Sequence, residues 1–222
     1  MSKKFRNRML AQFAVLAFAG CSMTLHASSL DCTNTIAISG AAGVVSDSQV
    51  TTGTCIQISD KLFGDFSLGN LPTGTFMIFT SAVNQVSITF SGVFVEETSY
   101  NFGYQVAVTN STNFISQLAV DITQTAGTSN LSATLTPTGS GMINVTKTGI
   151  IPSGTFFATF TGAQNVRSLM VDETFRKGAS SDASAVLNTI NQSVVPEPSS
   201  LLLFGSGLVG LATYGRRRFL KR

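Results

Sequence analysis

The sequence predicts an all-β fold, an antiparallel β-sandwich or jelly-roll-like outer domain, flanked by an N-terminal signal helix and a C-terminal transmembrane helix. Three observations support the β-fold. The central part of the chain is rich in Ser, Thr, Gly, Val, Ile and Phe, which favours strands over helices. Apolar and polar residues alternate with a period of two in several segments, and turn-forming residues recur roughly every ten positions.

The alternation predicts which side chains face the core. Two further runs, 75–80 and 155–161, are nearly continuous in apolar residues, so we expect central strands that are covered on both faces. Each run follows a turn with Pro and Gly, at 71–74 and 151–154. In four other segments the apolar residues lie two apart and share one face of a strand: Val86, Ile88 and Phe90; Phe102, Tyr104, Val106 and Val108; Leu118, Val120 and Ile122; Leu131, Ala133 and Leu135.

Composition divides the chain into four parts. We predict a signal peptide at 1–27, a β-sandwich outer domain at 28–177, a flexible tether at 178–195 and a C-terminal signal at 196–222. The tether is inferred from a run of Gly, Ala, Ser and Asp, with at most one short helix or edge strand at 186–190. The outer domain is therefore expected to fold without either end.

The N-terminus has the three parts of a secretory signal peptide. Four basic residues come first, an apolar run at 9–20 follows, and small residues surround Ala27 and Ser28. The apolar run is shorter than the ~20 residues that a membrane-spanning helix needs, which favours cleavage after Ala27. A competing cut exists, because residues 18–21, Phe-Ala-Gly-Cys, resemble a lipoprotein lipobox in which Cys21 would be acylated.

The cysteines predict one disulfide. Cleavage after Ala27 would remove Cys21 and also His26, the only histidine in the sequence. Cys32 and Cys55 would remain, an even number in an oxidising compartment, so we expect a bond between them. Closing this loop would stabilise the fold by roughly 3 kcal/mol.

Charge is distributed unevenly along the chain. The whole sequence has a formal net charge of +3, but most basic residues lie at the two ends. Between Ser28 and Val195 there are five basic and ten acidic side chains, a net charge of −5. Nucleic acid binding requires clustered Lys and Arg, so this composition argues against nucleic acid as a partner.

The C-terminal segment has three parts in a fixed order. Pro196, Glu197 and Pro198 come first, and the two prolines would hold Glu197 in an extended, accessible backbone. An apolar stretch at about 199–214 is predicted to form a transmembrane helix. The basic tail at 215–222 would keep that end of the helix in the cytoplasm by the positive-inside rule, with three consecutive arginines as its topology anchor: Arg216, Arg217 and Arg218.

This order closely resembles the PEP-CTERM sorting domain of exported bacterial proteins. The resemblance implies that an exosortase, a membrane-bound processing enzyme, recognises Pro196, Glu197 and Pro198 after the secretion machinery has exported the chain. It also implies transient anchoring in the inner membrane, followed by release to the cell surface or the extracellular space. Exopolysaccharide is the setting in which this family occurs, and it is therefore a candidate partner.

The residues do not predict an enzyme. Without His26 the mature protein would contain no imidazole, which excludes the common catalytic triads and histidine-ligated metals. We predict no cofactor and no metal, although calcium at Asp60 and Asp65 is a minor alternative. These two carboxylates, or Glu96 and Glu97, are the remaining acid-base candidates, but adjacent residues on a strand would point to opposite faces.

Carbohydrate binding usually needs exposed aromatic side chains, and the sequence has no Trp and three Tyr. Tyr100 with Asn101 is the best candidate for a surface contact. The segment 60–66 instead predicts a hairpin with buried phenylalanines. We interpret the chain as a surface or matrix protein with structural or adhesive work. A carbohydrate-binding module, or a carboxylate-dependent glycoside hydrolase, remains an alternative.

Overall fold

The computed structural model describes residues 30–137, 143–149, 156–160 and 166–194, which form two β-sheets packed face to face. The predicted signal peptide, Cys21, the C-terminal signal, its helix and its basic tail lie outside these residues. The strands are β1 (Asn34–Ile38), β2 (Ala42–Ser46), β3 (Thr54–Ile58), β4 (Lys61–Ser67), β5 (Phe76–Ala82), β6 (Gln85–Ser91), β7 (Ser99–Val108), β8 (Asn113–Thr123), β9 (Ser129–Pro137), β10 (Ile143–Gly149), β11 (Phe156–Thr159), β12 (Ser168–Lys177) and β13 (Ala185–Val194).

The first sheet has seven described strands in the order β1-β3-β4-β7-β12-β9-β10, and the second has six in the order β11-β8-β13-β6-β5-β2. Neighbouring strands are antiparallel, except that β1 runs parallel to β3. Within the described part of the chain, no helix is long and apolar enough to cross a bilayer. The predicted all-β sandwich is confirmed.

The core lies between the two sheets and follows the predicted alternation. The inward residues of β6, β7, β8 and β9 are those predicted from the sequence, and all but the partly buried Val108 are buried. Aromatic rings from both sheets meet there, with Phe63 and Phe79 at 5.2 Å between centroids and Phe90 and Phe102 at 4.6 Å. Burying each such ring contributes roughly 1.5–3 kcal/mol, so this packing holds the sheets together.

The two apolar runs are not central strands covered on both faces, and that prediction was wrong. The run at 75–80 becomes β5, which lies next to the edge strand β2 and alternates between buried and exposed side chains. Phe76 is 49% exposed, while Met77 and Phe79 face the core. The second run becomes β11, the edge strand of the six-stranded sheet among the described residues. The preceding turn at 151–154 lies outside them.

The predicted tether at 178–195 is also corrected. Residues Ala185–Val194 form β13, which lies inside the six-stranded sheet between β8 and β6. Val186 and Ile190 are fully buried, because the strand alternates apolar residues with polar ones. The loop before β13 is held as well: Asp182 accepts hydrogen bonds from the backbone N–H groups of Thr125 and Ala126, both at 2.8 Å.

The predicted disulfide is confirmed. Cys32 and Cys55 are bonded, with their Cα atoms 5.5 Å apart and 23 positions apart in sequence. The bond joins the segment before β1 to strand β3. Strands β1 and β3 are neighbours at one edge of the seven-stranded sheet. It therefore fixes the N-terminal part of the described chain to the domain.

Candidate functional site

A polar groove of about 230 Å³ crosses the outer face of the seven-stranded sheet. It lies over β4, β7, β12 and β9, near the middle of that sheet. The side chains of Phe102 and Glu173 are buried in the opposite direction, so the exposed lining is polar. The groove is lined by Ser67, Gly69, Asn101, Phe102, Ser132, Thr134, Asp172, Glu173 and Thr174.

The register of the strands builds this groove. Gly103 of β7 is paired with Asp172 of β12, which is paired with Thr134 of β9. In the next outward-facing row, Thr174 is paired with Asn101 on one side and Ser132 on the other. Because side chains alternate along a strand, these two rows share the solvent-facing side. The groove therefore contains residues that are far apart in sequence.

Two backbone features make room for the groove. A Cβ at Gly103 would lie 2.7 Å from Oδ1 of Asp172 and 2.8 Å from the carbonyl oxygen of Val171, so a side chain there would collide with its neighbours. On β4 the ladder to β7 is interrupted between Gly64 and Ser67, and Asp65 has a φ of 49°. Such a bulge bends the strand and moves its end away from the regular sheet.

Hydrogen bonds hold Asn101 in place on the groove. Its backbone N–H donates to Oδ1 of Asn70 at 2.9 Å, and Nδ2 of Asn70 donates to the carbonyl of Ser99 at 2.7 Å. The hydroxyl of Thr174 donates to Oδ1 of Asn101 at 2.9 Å, which leaves Nδ2 of Asn101 as a donor. Asp172 is exposed and has no hydrogen bond or ion pair with the described residues.

This arrangement is suited to binding rather than to acid-base chemistry on two carboxylates. Hydroxyls, an amide and one free carboxylate can make several hydrogen bonds with a ligand that is rich in hydroxyl groups. Asp172 and Glu173 are neighbours on β12 but point to opposite faces, so they do not form the pair that glycoside hydrolysis requires. No aromatic side chain stands exposed among the lining residues of the groove.

Glu173 belongs to a separate polar cluster inside the sandwich. Glu173 is 2% exposed, and burial raises the pKa of its carboxyl to about 8 against a smaller opposing effect of the Asn188 amide. Burial, together with the Glu173 carboxyl, raises the pKa of Tyr104. The side-chain polar atoms of these three residues have no well-aligned hydrogen-bond partner among the described residues. The carboxyl is therefore held in its protonated, neutral form at neutral pH.

The predicted acid-base candidates have other roles. Asp60 lies in the β3–β4 turn, where its carboxylate contacts Nζ of Lys61 at 2.6 Å and accepts from Nδ2 of Asn113 at 2.8 Å. Asp65 lies at the bulge of β4. The segment 60–66 forms the end of the turn and most of the second strand of the β3–β4 hairpin, with Phe63 fully buried and Phe66 partly buried. Among the described residues, no group of three or more His, Cys, Asp or Glu side chains is arranged to hold a metal ion.

Glu96 and Glu97 are not on a strand, which corrects their predicted position. They occupy a turn between β6 and β7, and Glu97 has a φ of 57°. The carboxylate of Glu97 pairs with the guanidinium of Arg176 on the surface. Both residues lie away from the groove.

Tyr100 is not a surface contact, whereas its neighbour Asn101 lines the groove. The ring of Tyr100 is 4% exposed and packs against Phe94 and Phe175. Its hydroxyl accepts a hydrogen bond from the backbone N–H of Val95 at 2.8 Å. This correction follows from strand geometry, since adjacent residues of β7 face opposite sides.

Comparisons with known proteins find structural similarity to solved structures and a match to a sorting motif. No curated protein matches the chain. One of the similar solved structures is that of TmCBM61 in complex with β-1,4-galactotriose. The similarity covers 70% of this chain and 88% of the TmCBM61 chain, with 8% sequence identity and a TM-score of 0.30. Residues 194–218 match the PEP-CTERM protein-sorting motif, so the chain contains this sorting motif directly after its last described strand.

Proposed function

We propose that this protein is an exported cell-surface or matrix protein whose sandwich domain is delivered by an exosortase that recognises residues 196–198. The observation that supports the proposal is the match of 194–218 to the PEP-CTERM motif, which implies exosortase processing. The last described strand ends at Val194, where the matched segment begins. The sorting signal is therefore attached directly to a strand of the domain.

The sequence supplies the remaining steps of this route. The signal peptide at 1–27 directs export, and the apolar stretch at 199–214 with Arg216, Arg217 and Arg218 would hold the tail in the inner membrane until processing. The disulfide between Cys32 and Cys55 is consistent with an oxidising compartment outside the cytoplasm. The proposed work of the domain at the surface is structural or adhesive, within exopolysaccharide.

Replacing Glu197 with Ala, or both Pro196 and Pro198 with Ala, is expected to leave the full-length protein in the inner membrane. Export should continue, because the signal peptide, the apolar stretch and the arginines are unchanged. The altered triplet loses its charge or its enforced extended backbone. Blots of membrane and surface fractions, from a host with its own exosortase, should show a shorter surface band only for the wild type.

Glu96→Ala is the matched control, since Glu96 is an exposed turn residue far from the motif in sequence. This variant should be processed like the wild type. Processing of the Glu197 and proline variants at the wild-type rate would show that the triplet is not the recognition element.

The polar groove favours a second candidate function, binding of polysaccharide by the outer domain. Asp172, Asn101, Thr174 and Ser132 present a carboxylate, an amide and hydroxyls on one face. These groups match the hydrogen-bonding pattern of a hydroxyl-rich chain. The groove would bind by polar contacts rather than by stacking on aromatic rings.

Replacing Asp172 with Ala is expected to weaken retention on the producing strain's exopolysaccharide by tenfold or more, since a hydrogen bond to a charged group is worth about 1.5–3 kcal/mol. The fold should be unchanged because Asp172 is exposed and unpaired. Affinity electrophoresis in gels containing the polysaccharide measures this. Equal retardation of the wild type and the variant would exclude the groove as the binding site.

A further inference from the structure

One lysine is buried where the end of β13 meets the β3–β4 hairpin. Lys61 is 1% exposed, which is unusual for a side chain that normally stays in water. Its Nζ donates to Oδ1 of Asp60 at 2.6 Å and contacts Oε1 of the Gln192 side chain. The other carboxylate oxygen of Asp60 accepts from Nδ2 of Asn113 at 2.8 Å. The amine of Lys61 therefore contacts both a carboxylate and a primary amide.

The surroundings make the charged amine less favourable than it is in water. Burial lowers the pKa of Lys61, while the carboxylate of Asp60 opposes this effect. Burial acts to raise the pKa of Asp60, but hydrogen bonds from Lys61 and Asn113 outweigh it and the net pKa is lowered. The two groups are joined by a short hydrogen bond, so a proton can pass from Nζ to Oδ1. That transfer leaves a neutral amine beside the amide of Gln192.

We propose that Lys61 and Gln192 join in an intramolecular isopeptide cross-link, with Asp60 as the proton carrier. The neutral Nζ attacks the side-chain amide carbon of Gln192, and a new N–C bond forms as the C=O electrons move to Oε1. Asp60 delivers the proton that it received from Nζ to Nε2, and then takes a second proton from the attacking nitrogen. The C=O re-forms, the bond from the carbon to Nε2 breaks, and ammonia leaves. The reaction exchanges one amide for another, so no oxidant or other reactant is needed.

The fold supplies the proximity and the positioned proton carrier that this reaction lacks in solution. Aminolysis of an amide is slow between separate molecules, but a fixed contact between the reacting groups raises the effective concentration by several orders of magnitude. A positioned carboxylate that accepts and returns the proton adds roughly 10²–10⁴-fold. Lys61 and Gln192 are 131 positions apart in sequence and belong to different sheets. The cross-link would join the two sheets, and it does not depend on the sorting proposal.

Mass spectrometry of the full chain tests the cross-link. The protein is produced with its own signal peptide in a host without an exosortase, extracted from the membrane, and digested with its disulfide reduced. We expect one branched peptide that contains both Lys61 and Gln192, lighter than the sum of its two linear parts by one ammonia. The same peptide should appear in material from a host that cleaves the tail, so failure of sorting would not affect this result.

Lys61→Arg keeps the positive charge but cannot form the amide, and Asp60→Asn removes the proton carrier. The first should abolish the branched peptide, and the second should reduce its yield at least tenfold. Lys177→Arg is the matched control, because Nζ of Lys177 donates to the backbone carbonyl of Phe94 rather than to a side-chain amide. Recovery of Lys61 and Gln192 only in separate linear peptides from folded wild-type protein would overturn the proposal, and this measurement needs no variant to fold.

Discussion

A chain that stops after Lys177 is expected to lose cooperative folding, whereas a chain that stops after Val194 is expected to keep it. The first truncation removes β13, which pairs with β8 on one side and β6 on the other. The six-stranded sheet would then separate into β11-β8 and β6-β5-β2, each with a new unpaired edge. The second truncation removes only residues that follow the last described strand.

The size of this effect follows from what β13 buries. Val186 and Ile190 are fully buried, and such side chains contribute roughly 1.5–3 kcal/mol each. The strand's backbone hydrogen bonds on both sides would be lost as well, and a domain of this size is stable by only ~5–15 kcal/mol. Losing β13 therefore removes stabilisation that is comparable to the domain's whole free energy of unfolding.

Both truncated chains can be compared by circular dichroism during urea unfolding, after export to an oxidising compartment. The chain ending at Val194 should give a β-type spectrum and one sigmoidal transition. The chain ending at Lys177 should show a gradual change without a transition, or should aggregate. Equal midpoints for the two chains would mean that β13 does not belong to the cooperative unit.

The stability of the domain is expected to fall as the pH rises from 4.5 to 8, because of Glu173. In the folded protein its pKa is about 8, against 4.5 for an ordinary Glu. Below pH 4.5 the carboxyl is protonated in both states, so its contribution to stability is fully present. Between these values the unfolded chain releases the proton while the folded chain keeps it, so stability decreases by about 1.4 kcal/mol per pH unit. Above pH 8 the loss is complete, on the order of 5 kcal/mol.

Glu173→Gln should remove this part of the pH dependence, because the amide keeps the shape of the protonated carboxyl and does not titrate. Asp172→Asn is the matched control on the same strand, since Asp172 faces solvent and its replacement should leave the pH profile unchanged. Urea unfolding at pH 5, 7 and 9 gives the free energy of unfolding for each variant. Parallel pH profiles for the wild type and Glu173→Gln would show that Glu173 is not the group responsible.

Sequence reasoning could identify strands whose faces differ strongly in polarity. Val86, Ile88 and Phe90 of β6 alternate with polar residues, and their burial follows directly. For β13 it predicted at most a short helix or edge strand at 186–190 within a tether, because Asn188 and Gln192 interrupt the apolar face and the preceding Ser- and Ala-rich loop resembles a linker. Pairing with β6 and β8 stabilises this segment as a strand, and the local sequence pattern carries no information about those two neighbours.

The groove was less predictable than the fold. Asp172, Thr174 and Ser132 come together through the register of β12 with β9, which pairs residues about 40 positions apart. A single sequence gives no direct measure of that register. The buried cluster, in contrast, has a signal in the sequence: Glu173 lies between Val171 and Phe175 in the apolar alternation of β12, and this position predicts a buried carboxyl.

The position of β13 also determines how the domain bears mechanical load. When the tail that follows Val194 is anchored, a pull on the far end of the sandwich acts along the axis of this strand. Its hydrogen bonds to β6 and β8 run across that axis, so they are loaded in shear together instead of breaking one after another. A domain attached through an edge strand would have only one such row of bonds. Attachment through an interior strand therefore suits a protein that must stay folded in flowing liquid at a cell surface.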